Sequence, residues 1–242
     1  MISPSSSQRA LITGASRGIG KATALAFAKA GISSILIGRS PDSLQATAEE
    51  VRALGAEAIA LSIDLSQVDR VKSQLEQVLE TVGSADILVN NAGMGYTGGL
   101  LETSLADWQQ VIDLNLTSPL QCIQAVLPQM RSRRSGTIIN VISIAGRQTF
   151  PSWGAYCASK FGLMGMTKTL AQEERSYGIR VVALCPGAVD TPLWDTPTVN
   201  ADFDRSLMLT PEDVADAIVH AALLPQHVVL DELVLMPNSG TF

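Results

Sequence analysis

A parallel, doubly wound α/β sheet flanked by helices on both faces is predicted by three features of this 242-residue chain. Short runs of β-branched and aliphatic residues alternate with helical patterns almost to the end, which is the signature of successive βαβ units. The runs are continuously apolar rather than alternating, as expected for strands covered on both faces. The turn that follows the first run is rich in glycine, as a strand must be to turn at once into a helix with its backbone exposed to a ligand.

The elements follow in order. Residues 10–12 lead into a helix near 18–30, residues 34–37 into one near 41–54, and residues 58–61 into one near 67–81. Residues 86–89 precede a long helix near 104–131, and residues 137–141 precede another near 154–177. A run at 180–184, a helix near 211–223 and a last strand near 228–236 complete about seven strands. Crossovers between parallel strands should be right-handed. No linker divides residues 1–242, which are expected to be a single dinucleotide-binding and catalytic domain. The stretch 186–210 holds Pro186, Pro192 and Pro197 together with Trp194 and Phe203. An irregular stretch that long inside such a fold is expected to be functional, here a lid over a substrate. The serine-rich residues 1–7 are expected to be a disordered tail.

Composition excludes several classes. A formal net charge of −6 gives no basic footprint for a nucleic acid. The three cysteines, Cys122, Cys157 and Cys185, have no metal-ligand spacing, so no metal is expected. Reduced cysteines, no apolar run of membrane-spanning length and no signal-like start point to a cytoplasmic protein without a membrane partner.

Gly14, Gly18 and Gly20 fall between the first run and the first helix. Glycines there permit close approach of a pyrophosphate to a helix N-terminus, where free N–H groups and the helix dipole favour negative charge. The spacing is G-x-x-x-G-x-G, with Ser16, Arg17 and Ile19 inside the loop. At the end of the second run, where an acidic residue would bind a ribose 2′-hydroxyl, stand Gly38, Arg39 and Ser40. A carboxylate would repel a 2′-phosphate. Arg39 would grip one, with Arg17 reaching it from the other side, so NADP(H) is the expected cofactor.

Tyr156 and Lys160 are four residues apart, which on a helix places both on one face. An ammonium beside a phenol favours the phenolate and is expected to lower the phenol's pKa. The same pattern arises on any amphipathic helix with a half-buried tyrosine and a solvated lysine. Ser143 precedes the pair, and could equally be a helix cap.

Taken together these residues resemble the short-chain dehydrogenase/reductase family in its single-domain, Rossmann-type form. The resemblance covers nearly the whole chain. It runs through Thr13-Gly14-x-x-x-Gly18-x-Gly20, Asp64, Asn90-Asn91-Ala92-Gly93, Asn115, Ser143, Tyr156-x-x-x-Lys160 and Pro186-Gly187 with Thr191. It implies that Tyr156 is the general acid of carbonyl reduction and that Lys160 binds the nicotinamide ribose. It implies that Ser143 holds the substrate oxygen and that Asn115 holds a water linking Lys160 to solvent. Asp64 and Leu65 would face the adenine, Asn91, Ala92 and Gly93 the ribose, and Pro186, Gly187, Val189 and Thr191 the carboxamide end. The cradle and active site resemble the ketoacyl reductases of the family. The end at 231–237 departs from theirs and is closer to broad carbonyl reductases.

The expected substrate is therefore a hydrophobic or aromatic ketone or aldehyde, or a 3-oxoacyl compound. Its pocket would be walled by Met94, Tyr96, Ile144, Arg147, Gln148, Phe150, Trp153, Leu193 and Trp194, with Arg147 expected to pair with a surface carboxylate. Two other readings stand beside this one: a sugar-nucleotide epimerase, which would need a larger C-terminal part, and a non-catalytic NADP-sensing regulatory module, which would be expected to lack the Tyr or the Lys. Apolar residues on more than one face of the two long helices, among them Leu163, Met164, Met166 and Leu170, predict a homo-oligomer. The resemblance implies a four-helix contact between twofold mates, which with a second contact at the last strand would make a homotetramer, with a dimer as the alternative.

Overall fold

The computed structural model describes residues 8–201 and 203–240. The β-branched runs become seven strands of one parallel sheet: β1 (Arg9–Thr13), β2 (Ser33–Gly38), β3 (Ala58–Ser62), β4 (Ile87–Asn90), β5 (Gly136–Val141), β6 (Ile179–Pro186) and β7 (Glu232–Leu235). Their order is β3-β2-β1-β4-β5-β6-β7. The central strands are buried on both faces, which is why their sequences carry no alternation. Between the strands run α1 (Gly18–Lys29), α2 (Pro41–Ala53), α3 (Val68–Val82), α4 (Leu105–Ile112), α5 (Ser118–Arg133), α6 (Gly154–Glu174) and α7 (Pro211–Leu223). One apolar layer packs α1, α2 and α7 on the sheet around Phe27, Leu36, Leu44 and Ile218. The opposite layer packs α3 and α5 around Leu75, Leu88, Ile123 and Met130, with the C-terminal half of α6 joining through Leu170.

The chain leaves β1 to build the sheet outward through β2 and β3, then returns to place β4 on the other side of β1. That reversal opens a crevice at the C-terminal ends of β1 and β4, the place where ligands bind in open α/β sheets.

Two elements differ from the sequence expectation. The helix expected over 104–131 is interrupted by a π-helical turn, Asp113–Thr117, so that α4 and α5 are separate. The last strand is shorter than 228–236. The Val228 N–H goes back to Pro225 O and its carbonyl accepts from the Arg180 side chain, so that residue is turned away from the ladder. The tail expected to be disordered, residues 1–7, lies outside the described residues. Among the described residues no helix is long and apolar enough to cross a membrane, and no cluster of His, Cys, Asp or Glu could hold a metal ion.

Candidate active site

A cleft of about 740 Å³ opens at the β1–β4 switch point and runs from the first helix to the 192–203 segment. Its floor is built by close backbone packing. Gly14 and Gly18 have φ of +66° and +54°, which glycine adopts freely. A Cβ on Gly20 would lie 2.2 Å from Gly14 O, so only glycine lets α1 start against the loop. Thr13 and Asn91 clamp the ends of β1 and β4 together. Thr13 Oγ1 accepts from the N–H groups of Asn91 and Ala92, each at 3.0 Å, and Asn91 Nδ2 donates to Thr13 O at 3.0 Å.

The N-terminus of α1 faces this cleft without a side-chain cap and without an acidic residue in its first turn. Arg17 and Arg39 are exposed at the cleft wall, and neither guanidinium has a partner among the described residues. Uncapped N–H groups, two unpaired cations and no acidic residue along the lining fit a dinucleotide carrying an additional phosphate. Ser16, Ile19, Ser40, Leu65, Ala92, Gly93, Pro186, Gly187, Val189 and Thr191 also line the cleft. Gly20 is buried behind the lining and acts through Gly14. Asp64 stands between Ile63 and Leu65, with Oδ1 accepting from Ser66 N at 3.0 Å and Ser66 Oγ at 2.8 Å in an Asx-type turn. Ile63, Leu65 and Ser66 line the cleft beside it.

At the other end of the cleft, Ser143, Tyr156 and Lys160 share one wall. Ser143 leaves β5 with φ 153° and ψ 163°, a backbone region that glycine favours, and its Oγ caps the following 3₁₀ turn by accepting from Ala145 N at 3.1 Å. The same side chain is hydrogen-bonded to the Tyr156 phenol. The turn is seated on α6 through Gly146, where a Cβ would approach Lys160 O to 2.8 Å. Capping and site geometry are thus one feature of Ser143 rather than alternatives.

Lys160 is 5% exposed, with Nζ donating to Val141 O at 3.1 Å and lying 5.7 Å from the centre of the Tyr156 ring. Burial lowers its pKa to about 8. Tyr156 contradicts the expectation that its pKa is lowered. Burial pushes the phenol up to about 12, outweighing the Ser143 hydrogen bond that favours the phenolate. The phenol therefore keeps its proton at neutral pH.

Asn115 lies in the π-helical turn and is fully buried rather than at the cleft surface. Its Oδ1 accepts from Met94 N at 2.8 Å, and Nδ2 donates to Met94 O at 2.9 Å and to Ser159 Oγ at 3.1 Å. Both donors are used, so the side chain ties the loop after β4 to α6 one residue before Lys160. The sequence reading missed Ser159, although a small polar residue beside Lys160 on an otherwise apolar helix face was a usable sign.

Of the residues expected to wall the substrate, Met94, Ile144, Phe150, Trp153, Leu193 and Trp194 line the cleft. Tyr96, Arg147 and Gln148 do not. The Tyr96 hydroxyl turns toward Asp107 at 3.5 Å, and Arg147 Nε lies 2.9 Å from Glu232 Oε1. The surface pairing expected of Arg147 is therefore present. Leu114, Gln110, Thr198 and Phe203 line the cleft without having been singled out for it. Leu114 and Gln110 lie close before Asn115 in the chain, which was the available signal.

The 186–210 segment crosses the cleft and is pinned at several points. Thr97 N donates to Thr198 O at 2.8 Å, Asn200 N donates to Thr97 Oγ1 at 2.7 Å, and Val189 bridges Leu209. Arg205 pairs with Asp190 and Asp195 at 2.5 and 2.7 Å.

A family model described as short chain dehydrogenase matches residues 8–200. The chain is 42% identical over 224 residues to a 3-oxoacyl-(acyl-carrier-protein) reductase of Synechocystis, covering 90% of both. Among solved structures it resembles a metagenomic short-chain oxidoreductase in complex with NADP, with a TM-score of 0.83 at 34% identity, covering 96% of this chain and 97% of that one. It also resembles a variant of the actinorhodin polyketide ketoreductase with NADPH, with a TM-score of 0.86 at 32% identity, covering 98% of each.

Proposed function

The chain belongs to the short-chain dehydrogenase family, and from that premise we propose that it is an NADP(H)-dependent oxidoreductase that reversibly reduces a ketone or aldehyde to an alcohol. The observation that carries this reading is the meeting of Ser143, Tyr156 and Lys160 on the wall of the cleft whose other end is the uncapped start of α1. A reduced nicotinamide, when bound, supplies a hydride to the carbonyl carbon.

The chain's own residues handle everything else. Ser143 donates to the carbonyl oxygen and opposes its growing negative charge. Tyr156, protonated at neutral pH, transfers its phenolic proton to that oxygen. Lys160, cationic below about pH 8, holds the ribose and stabilises the phenolate left behind. Asn115 is proposed to keep Lys160 and the loop after β4 in register, because its amide is already occupied by Met94 and Ser159. Arg17 and Arg39 grip the 2′-phosphate, Ser16, Gly18 and Ile19 the pyrophosphate, Asn91 to Gly93 the ribose, and Gly187, Val189 and Thr191 the carboxamide.

The substrate is a hydrophobic carbonyl or a 3-oxoacyl compound, like that named for the Synechocystis relative. We read residues 1–242 as one catalytic domain with 186–210 as its lid, working in the cytoplasm as a homotetramer. A non-catalytic sensing module is disfavoured, because nothing in such a module calls for a serine, a tyrosine and a lysine converging on one cleft.

Steady-state kinetics with NADPH and NADH against a panel of ketones tests the cofactor assignment. NADPH is expected to be strongly preferred, and Arg39→Asp to weaken NADPH far more than NADH. Losing a hydrogen bond to a charged group costs about 1.5–3 kcal/mol, roughly 10- to 150-fold. Equal kcat/KM for the two cofactors in the parent protein would refute it.

A further inference from the structure

Beyond Ser143 and Tyr156 the cleft is walled by Phe150, Trp153, Trp194 and Phe203. Three of these rings continue from Tyr156 as an edge-to-face chain. Tyr156 to Trp153 is 5.4 Å between ring centres at 67°, Trp153 to Trp194 is 5.9 Å at 72°, and Trp194 to Phe203 is 5.3 Å at 84°. The chain runs from the phenol along the wall of the cleft and into the 186–210 segment. The indole of Trp194 is fixed in direction, because Nε1 donates to Val189 O at 2.8 Å.

Two of the hydroxyls at this end are bonded to the backbone. Thr196 Oγ1 donates to Leu193 O and Thr198 Oγ1 to Gly95 O, both at 2.8 Å. The charged side chains lining the whole cleft are Arg17, Arg39 and Lys160, two at the cradle and one behind Tyr156. Arg147, the cation nearest Ser143 in the chain, is held by Glu232 outside the lining. A carboxylate or phosphate carried into this end would give up hydration and meet no cationic side chain in front of Tyr156 to offset the loss. An aryl ring would gain edge-to-face or offset contacts with rings already held in place.

We propose that the substrate is an uncharged ketone or aldehyde bearing an aromatic group, and that Trp194 is the residue that selects for it. This rests on the reductase reading. The carbonyl sits at Ser143 and Tyr156, and the ring lies against Trp153 and Trp194. On reduction the carbonyl carbon gains a hydride and the oxygen takes the Tyr156 proton, giving a neutral aryl alcohol that leaves with no charge to release.

The test is kcat/KM with NADPH for three probes: acetophenone, cyclohexyl methyl ketone and the anionic keto acid benzoylformate. The first two differ little in size, so their ratio reads aromaticity. Acetophenone is expected to exceed cyclohexyl methyl ketone roughly tenfold, the upper end of what aromatic pairs supply, and to exceed benzoylformate by more. Trp194→Phe, which keeps a ring, should retain most of the preference, and Trp194→Ala should bring the phenyl-to-cyclohexyl ratio near one. Equal kcat/KM for the phenyl and cyclohexyl ketones in the parent, or a preference for the anion, would overturn the aromatic assignment while leaving the reductase reading intact. A parent ratio that Trp194→Ala does not change would remove Trp194 from the role. Failure to reduce any carbonyl would instead overturn the reductase reading itself.

Discussion

Tyr156 and Lys160 were legible because their chemistry is carried by residue type and by a four-residue spacing that a helix converts into proximity. Their electrostatics were not legible. Spacing says that an ammonium is near a phenol, but only burial decides which influence prevails. Here burial moves both groups toward their neutral forms, the phenol to about 12 and the ammonium to about 8. Burial of Lys160 has a consequence for stability. Between about pH 8 and its ordinary value of 10.5 the folded chain binds fewer protons at this site than the unfolded chain. Its destabilising effect is therefore fully present below pH 8 and is relieved as pH rises through 8 to 10.5. Tyr156, raised from 10.0, acts in the opposite sense only above pH 10. Lys160→Met removes the buried charge but leaves Val141 O without its donor. The cofactor-free variant is expected to be more stable than the parent by about 1–2 kcal/mol at pH 7, with the gain lost by pH 9.5. Urea unfolding at the two pH values checks this, and a gain that grows with pH would contradict it.

At the scale of elements, strands and helices were readable because the period of the apolar pattern survives in each. The break between α4 and α5 was not, since residues 105–133 keep a helical pattern throughout and the π-helical turn arises from the tertiary bonds of Asn115 to Met94 and Ser159. The apolar residues taken from α6 as signs of an interface were also misread. Leu163, Met164 and Leu170 are buried in the core, and Met166 packs against it. The surface of α4, α5 and α6 nonetheless carries exposed apolar side chains, with Leu105 80%, Leu120 37% and Phe161 43% exposed. Exposed apolar side chains of this size are candidates for a contact between copies. Light scattering at micromolar protein is expected to give the mass of four chains, and Leu105→Lys with Phe161→Lys to lower it. The mass of a single chain in the parent would refute the assembly.

The whole molecule places two chemistries at opposite ends of one cleft. The cradle at β1 and α1 depends on glycines that the sequence displays openly. The wall of Ser143, Tyr156 and Lys160 depends on β5 and α6, more than a hundred residues later in the chain. Seven strands in the order β3-β2-β1-β4-β5-β6-β7 are what bring them together; the βαβ alternation in the sequence predicts the parallel sheet but leaves that order open. The shape of the aromatic end was less accessible, because Trp153, Trp194 and Phe203 meet only through the folding of the 186–210 segment over the cleft. The central claim is that this arrangement exists to deliver the Tyr156 proton to a carbonyl as it is reduced. Stopped-flow NADPH oxidation with a reducible ketone, comparing the parent with Tyr156→Phe, tests it most directly. The ring still packs in the variant and NADPH affinity should be nearly unchanged, while turnover should fall roughly 10²–10⁴-fold with the loss of the general acid. Near-parental turnover by Tyr156→Phe would contradict the account.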